Sequence, residues 1–206
     1  FVLARRFGLG RGFDIYDDVE QAERTARETT DRAIEHLQRA VEKPRLLWVH
    51  YFDAHAPYAP PEPFRSRYAK NLYLGEVAEV DQHLGRLVEA FERTAKGPVA
   101  ILVAGDHGEG LGDHGESQHG NLAYDSTMRV PFVLIGPDVP TGVVDTPVSV
   151  RRIFHTVLGL AGLESAQGLH AAPAPEVVLG EAMKPFLSYG WQPQVMAVEG
   201  TTKVIS

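Results

Sequence analysis

Apolar and polar positions follow two alternating periodicities along this chain of 206 residues. Over 19–43, Ala22, Ala26, Ala33, Ile34, Leu37, Ala40 and Val41 fall largely on one face at helical spacing. Asp17-Asp18 stand before this segment, suited to cap its first turn and to complement its dipole, and Pro44 ends it. The run Leu46-Leu47-Trp48-Val49-His50-Tyr51-Phe52 then has the near-continuous apolar character of a strand buried on both faces. Four prolines, at 57, 60, 61 and 63, make 53–63 a loop that cannot pair in a sheet. A second helix is predicted over 68–96, with Leu72, Val77, Val80, Leu84, Leu87, Val88 and Phe91 as its buried stripe and Gly97-Pro98 as its break.

A second buried strand, 99–104, enters a loop over 105–120 that holds six glycines and three histidines. A third strand follows at 130–135 and stops at Gly136-Pro137. Ser149 can cap a helix running to about Leu160, closed by Gly162. A proline- and alanine-rich stretch at 171–175 precedes short strands at 177–179, 195–198 and 202–205. Helices alternating with apolar strands imply right-handed crossovers and an α/β fold: a mostly parallel sheet sandwiched by helices. The expected organisation is one α/β domain over 1–165, extended by a small strand-containing segment over 166–206.

Composition narrows the function without deciding it. Hydrophobic content of 44% and charged content of 23% suit a globular protein with a real core. A net charge of −7 argues against nucleic acid as a partner. The absence of cysteine removes disulfides, thiolate metal sites and a cysteine nucleophile. No apolar stretch approaches the roughly 20 residues that span a bilayer, so no membrane segment is expected in this chain, and no signal peptide is visible. Oligomeric state is not readable from these features.

The candidate chemistry lies at the predicted strand ends, where open α/β sheets build their sites. Asp53 and His55 follow the strand ending at Phe52. Asp106, His107, Glu109, Asp113, His114, Glu116 and His119 follow the strand ending at Ala104. A carboxylate beside an imidazole suits a borderline or hard divalent ion, and the glycines flanking Asp106-His107 let the backbone turn sharply around a ligand. A solvated glycine-rich turn is the alternative for one Asp-His pair; the density of titratable groups after a buried strand favours a site. His55, on a proline-stiffened loop, either donates a proton or hydrogen bond to a leaving group or merely caps its loop.

Asp53-x-His55-x-Pro57-Tyr58, then Gly105-Asp106-His107-Gly108-Glu109-x-Leu111-Gly112-x-His114-Gly115, His119-Gly120 and Arg129-Val130-Pro131, resemble in order and spacing the sulfatase family of the alkaline-phosphatase superfamily. Arg6-Phe7-Gly8-Leu9-x-Arg11-Gly12-Phe13-Asp14 also looks like a segment from the middle of bacterial members. The resemblance implies metal-assisted attack on a sulfate or phosphate ester of a small molecule or glycan, in a periplasmic or extracellular setting. It assigns Asp106 and His107 to the metal, calcium by expectation, with manganese or zinc as alternatives. It places His55 on the leaving-group side of the ester. Where many sulfatases carry a lysine that contacts the sulfate, this chain has His119, which keeps phosphodiesters, phosphonates and phosphoesters open as substrates.

Glu109 and His114 are expected to orient the loop, and Glu116 and Asp113 to be structural or solvated. Asp125 and Arg129 read as a structural pair or a helix cap. His36, His50, His83 and His155 need no functional explanation, and Tyr58, Tyr73 and Trp191 are possible substrate contacts. No Cys-x-Pro-x-Arg or Ser-x-Pro-x-Arg segment and no early strand ending in paired Asp is present. Two ligands fall short of the six or more donors that hard divalent ions take. The expectation is therefore the C-terminal portion of a longer hydrolase, inactive alone, whose nucleophile lies upstream. A phospho-group transferase of the same superfamily and a non-catalytic metal- or partner-binding domain are the alternatives.

Overall fold

Thr25, and not Asp17 or Asp18, starts the first helix. The computed structural model describes residues 3–19, 23–39, 43–163, 168–169 and 176–206. Among them α1 spans Ala26–Leu37, with a capping box in which Thr25 accepts from the Glu28 amide and Glu28 reaches back to the Thr25 amide. Asp17 instead gathers Arg24 at 2.6 Å, Arg32 at 3.0 Å and His36 at 3.0 Å. Partial burial disfavours its ionised form, but the His36 and Arg24 hydrogen bonds and the two guanidinium charges outweigh that and hold its pKa at about 2. The predicted helical residues Ala22, Ala40 and Val41, like the 171–175 stretch, lie outside the described residues.

The chain divides into two compact units, Phe1–Lys96 and Gly97–Ser206. The division falls at the Gly97-Pro98 break. In the first unit, the short α2 (Phe64–Arg67) follows the proline loop, and the long α3 (Leu72–Thr94) is capped by Asn71, whose side chain accepts from the Leu74 amide. Its buried face is Gly75, Glu76, Glu79, His83, Leu87 and Ala90. Of the predicted stripe only Leu87 is fully buried, and Val77 is 40% exposed. The core of this unit packs Ala33 and Leu37 of α1 against Leu87 and Ala90 of α3, with Leu47, Val49 and Tyr51 beside them.

Those last three residues explain what became of the 46–52 run. Alternate side chains point into the α1–α3 core while Leu46 and Trp48 are 64% and 54% exposed, and the run joins no ladder among the described residues. It has the period of a strand with one packed face, where burial on both was expected.

The second unit contains β1 (Ile101–Ala104), α4 (Asp125–Met128), β2 (Phe132–Ile135), α5 (Arg152–Leu160), β3 (Val178–Ala182), α6 (Lys184–Tyr189), β4 (Gln194–Glu199) and β5 (Thr202–Ile205). β1 and β2 pair antiparallel, Ile101 opposite Ile135, and β3-β4-β5 form a second antiparallel sheet. Parallel pairing was expected, and every ladder among the described residues is antiparallel. The reason is local: the segment between β1 and β2 is the glycine-rich loop and one short helix, which turn the chain back without the crossover helix that parallel strands need. β2 leaves Val133 and Ile135 exposed, so it too is packed on one face. The strands predicted at 195–198 and 202–205 are present as β4 and β5, and α5 ends before Gly162, which sits at φ +76°. Ser149 accepts from the Arg151 amide just ahead of α5 but is not its cap residue. Ala123, Ala182 and Met196 form the unit's core, with Met128, Val198 and Ile205 against it, which fixes the end of the glycine-rich loop on the three-stranded sheet.

Candidate active site

In the first unit, His55 lies on the proline loop directly after the apolar run. Its Nδ1 donates to the Ala56 carbonyl at 2.8 Å, and its ring lies against Phe52 with centroids 4.2 Å apart. Because a carbonyl only accepts, Nδ1 carries a proton in this bond. Asp53 does not turn toward a ligand here: its Oδ2 accepts the Ala26 amide at 2.7 Å, serving the first turn of α1. Tyr58 packs edge-on against Tyr73 at 5.5 Å, and in the second unit Trp191 packs against Tyr189 at 5.0 Å.

Glu76 and Glu79 of this region do not stand out in the sequence, and His83 needs no functional explanation there; the three are buried to 5%, 4% and 6% exposure. The signal was present. Positions 76, 79, 83, 87 and 90 follow helical spacing, but polarity at the first three hid the face that Leu87 and Ala90 continue. Burial, and then the like charges of Asp53 and Glu76, pushes the Glu79 carboxyl from 4.5 up to about 7. Burial likewise lowers the pKa of His83, whose Nε2 lies 3.9 Å from Glu79.

This carries a stability prediction with a definite sign. The unfolded chain ionises Glu79 from pH 4.5 upward, whereas the folded chain resists until about 7. The folded state therefore loses stability as pH rises through that window, and the full penalty is present above it. Glu79→Gln removes the charge, so it should stabilise the protein at pH 8 by at most about 3 kcal/mol, with little gain at pH 4.5. Urea unfolding at the two pH values checks this, and an equal shift at both would contradict it.

In the second unit, the loop after β1 is held by backbone bonds: the Gly105 amide to Pro131, Gly108 to Thr127 at 2.8 Å and Gly110 to Gln118 at 2.7 Å. Glycine is required at 108 by close approach, since a Cβ there would sit 2.1 Å from the Ser126 carbonyl oxygen. The loop closes on Glu116, which is 6% exposed and accepts the Asn121 and Leu122 amides at 2.8 and 3.3 Å. It is structural, as expected of it. Asp113 pairs with His114 at 3.0 Å, and the His114 ring stacks on Tyr124 at 3.6 Å. Asp125 pairs with Lys203, which replaces the expected pairing with Arg129.

Three of the four predicted site residues come together here. The His107 and His119 rings lie with centroids 3.9 Å apart, and the Asp106 carboxylate is 3.7 Å from His107 Nε2. His107 Nδ1 donates to the Gly108 carbonyl at 2.9 Å, so Nε2 is the ring nitrogen that could hold a metal. Asp106 and His107 are 69% and 45% exposed, so the pair is open to a ligand. Glu109, only 5% exposed, accepts from His119 Nδ1 at 3.4 Å and orients that ring. Among the described residues no group of three or more carboxylate and imidazole side chains is gathered for a metal ion, so Asp106 and His107 stand as a pair. One carboxylate oxygen and one imidazole nitrogen fit a divalent ion as part of a larger donor set.

The sulfatase family model matches residues 11–163. The chain is 25% identical to the Escherichia coli protein named uncharacterized sulfatase YidJ, over 85% of this chain and 42% of that one. It is 27% identical to human arylsulfatase D, over 91% of this chain and 33% of the relative. It thus spans less than half the length of either. A Bacteroides thetaiotaomicron structure from work on the metabolism of multiple glycosaminoglycans shares the fold, with a TM-score of 0.59, 21% identity, and coverage of 88% of this chain and 52% of that one. With the motif order, the loop after β1 and a family match over most of its length, this chain belongs to the sulfatase family of the alkaline-phosphatase superfamily.

Proposed function

We propose that this chain, as part of a longer polypeptide, serves the metal-dependent hydrolysis of sulfate esters of a small molecule or glycan. The observation that carries the reading is the loop after β1, where Asp106 and His107 present a carboxylate and an oriented imidazole beside His119. Asp106 and His107 would hold a divalent ion, calcium foremost and manganese or zinc as alternatives, and when bound it would supply Lewis acidity at an ester oxygen. His119, steered by Glu109, hydrogen-bonds the transferring group as charge develops on it. His55, carrying a proton on each ring nitrogen, gives the Nε2 proton to the leaving-group oxygen as the ester bond breaks and keeps the Nδ1 proton on the Ala56 carbonyl. The nucleophile and the remaining metal donors come from outside these 206 residues.

Histidine at 119, where many sulfatases have lysine, supports a second reading on phosphate esters. A panel of aryl sulfates, phosphate diesters and phosphonates, assayed with the full-length protein, separates the two. The expected result is fastest turnover of an aryl sulfate, lost on chelation and restored by a divalent ion. Preference for a phosphodiester or phosphonate would move the assignment to phosphoryl chemistry, and chelator-insensitive turnover would remove the metal from it.

A further inference from the structure

The loop that carries His55 is tied to α3 by one buried side chain. Glu76 is 5% exposed, its Oε2 accepts the His55 amide at 3.1 Å, and its Oε1 accepts the Ala59 amide at 2.6 Å. The two donors bracket Ala56-Pro57-Tyr58, so a single carboxylate holds both ends of the segment 55–59. Neighbouring positions of the helix help it reach. A Cβ at Gly75 would lie 2.7 Å from Pro60, whose side chain is fully buried, so the absence of a side chain lets the loop settle onto the helix. Tyr73 packs against Tyr58 within the same segment. The His55 ring in turn takes its direction from this backbone, because its Nδ1 donates to the carbonyl of Ala56.

We propose that Glu76 is the positioning residue for His55, its carboxylate fixing the backbone of 55–59 and through it the direction of the imidazole. The effect on the loop stands by itself; the effect on rate rests on the reading of His55 as the leaving-group histidine. An ionised carboxylate offers an acceptor oxygen to each of the two amides. Glutamine keeps the shape but turns one of those oxygens into an NH2 group facing an N–H, so Glu76→Gln loses one of the bonds. Misplacement of a catalytic group by about 1 Å can cost on the order of 100-fold in rate.

The test uses the full-length protein and four forms: parent, Glu76→Gln, His55→Ala and the double variant. Amide hydrogen exchange at His55 and Ala59 should speed up at least tenfold in Glu76→Gln, while Leu87 and Ala90 on the same helix keep their protection. With aryl esters of graded leaving-group pKa, Glu76→Gln should lower kcat roughly 10–100-fold on poor leaving groups and much less on good ones, with KM within about twofold. It should add no further loss in the His55→Ala background. Unchanged exchange at His55 and Ala59 would overturn the clamp, and so would equal losses across leaving groups that add to those of His55→Ala. Should His55→Ala leave kcat untouched, the role of His55 fails, and the exchange result alone then decides whether Glu76 holds the loop. If Glu76→Gln does not fold, Glu76→Asp, which keeps the charge and withdraws it by one methylene, is read the same way.

Discussion

Asp106→Ala in the full-length protein is expected to abolish retention of the divalent ion and, with it, ester hydrolysis. Among the described residues, Asp106 supplies the carboxylate that lies against His107 Nε2, at 3.7 Å, and it stands 69% exposed with no Lys or Arg paired to it. Its charge is thus available to a cation instead of being neutralised within the fold. Removing it leaves the His107 imidazole without its neighbouring carboxylate, and hard divalent ions, which prefer oxygen donors, hold such a site poorly. The loss should exceed the roughly 10–100-fold in metal affinity that follows removal of an outer partner of a metal ligand. Because Asp106 is exposed and accepts only the adjacent His107 amide, the variant should stay folded. Metal content after dialysis, beside thermal unfolding, separates the two effects. Unchanged metal and activity in Asp106→Ala would remove the loop from the site.

His55→Ala should behave differently: metal retained, kcat lowered by about 10²–10⁴ on esters with poor leaving groups, and a smaller loss on activated aryl esters. The contrast follows from chemistry. A leaving group that is already a weak base departs without a proton, whereas an alkoxide needs one. On the proposed role, His55 serves the second case through Nε2, since Nδ1 is bound to the Ala56 carbonyl. Kinetics across a leaving-group series, with metal analysis of the same samples, checks this. A loss independent of leaving group, or loss of the metal, would place His55 elsewhere in the site.

Some elements were legible because their signal is local. The strand at 202–205 coincides with β5, and α5 ends next to Gly162 as its composition suggests. The glycine-rich loop after 99–104 could be recognised because glycines, a carboxylate and histidines in one short stretch answer to backbone geometry and metal chemistry at once. The first helix was found but its cap was not. Thr25 and Glu28 form a capping box, while Asp17 of the Asp17-Asp18 pair serves three basic side chains instead. The phase of α3 was misjudged for a related reason. Hydrophobicity points to Val77 and Val80, but what lies beneath the helix is the polar underside of the His55 loop, so Glu76 and Glu79 are the residues turned inward.

The Asp106-His107 loop therefore belongs to the sequence, and its surroundings belong to the fold. Residue types and spacing alone determined the family and singled out Asp106, His107, His55 and His119 as candidates, since that choice depends on what a side chain can ligate or protonate. Only the tertiary structure decided that β1 and β2 run antiparallel, that the 46–52 run packs on one face without a ladder, that Glu109 turns to His119, and that Glu76 grips the His55 loop. Each of those depends on a partner elsewhere in the chain, and residue type at one position does not name the partner that will bury or pair it.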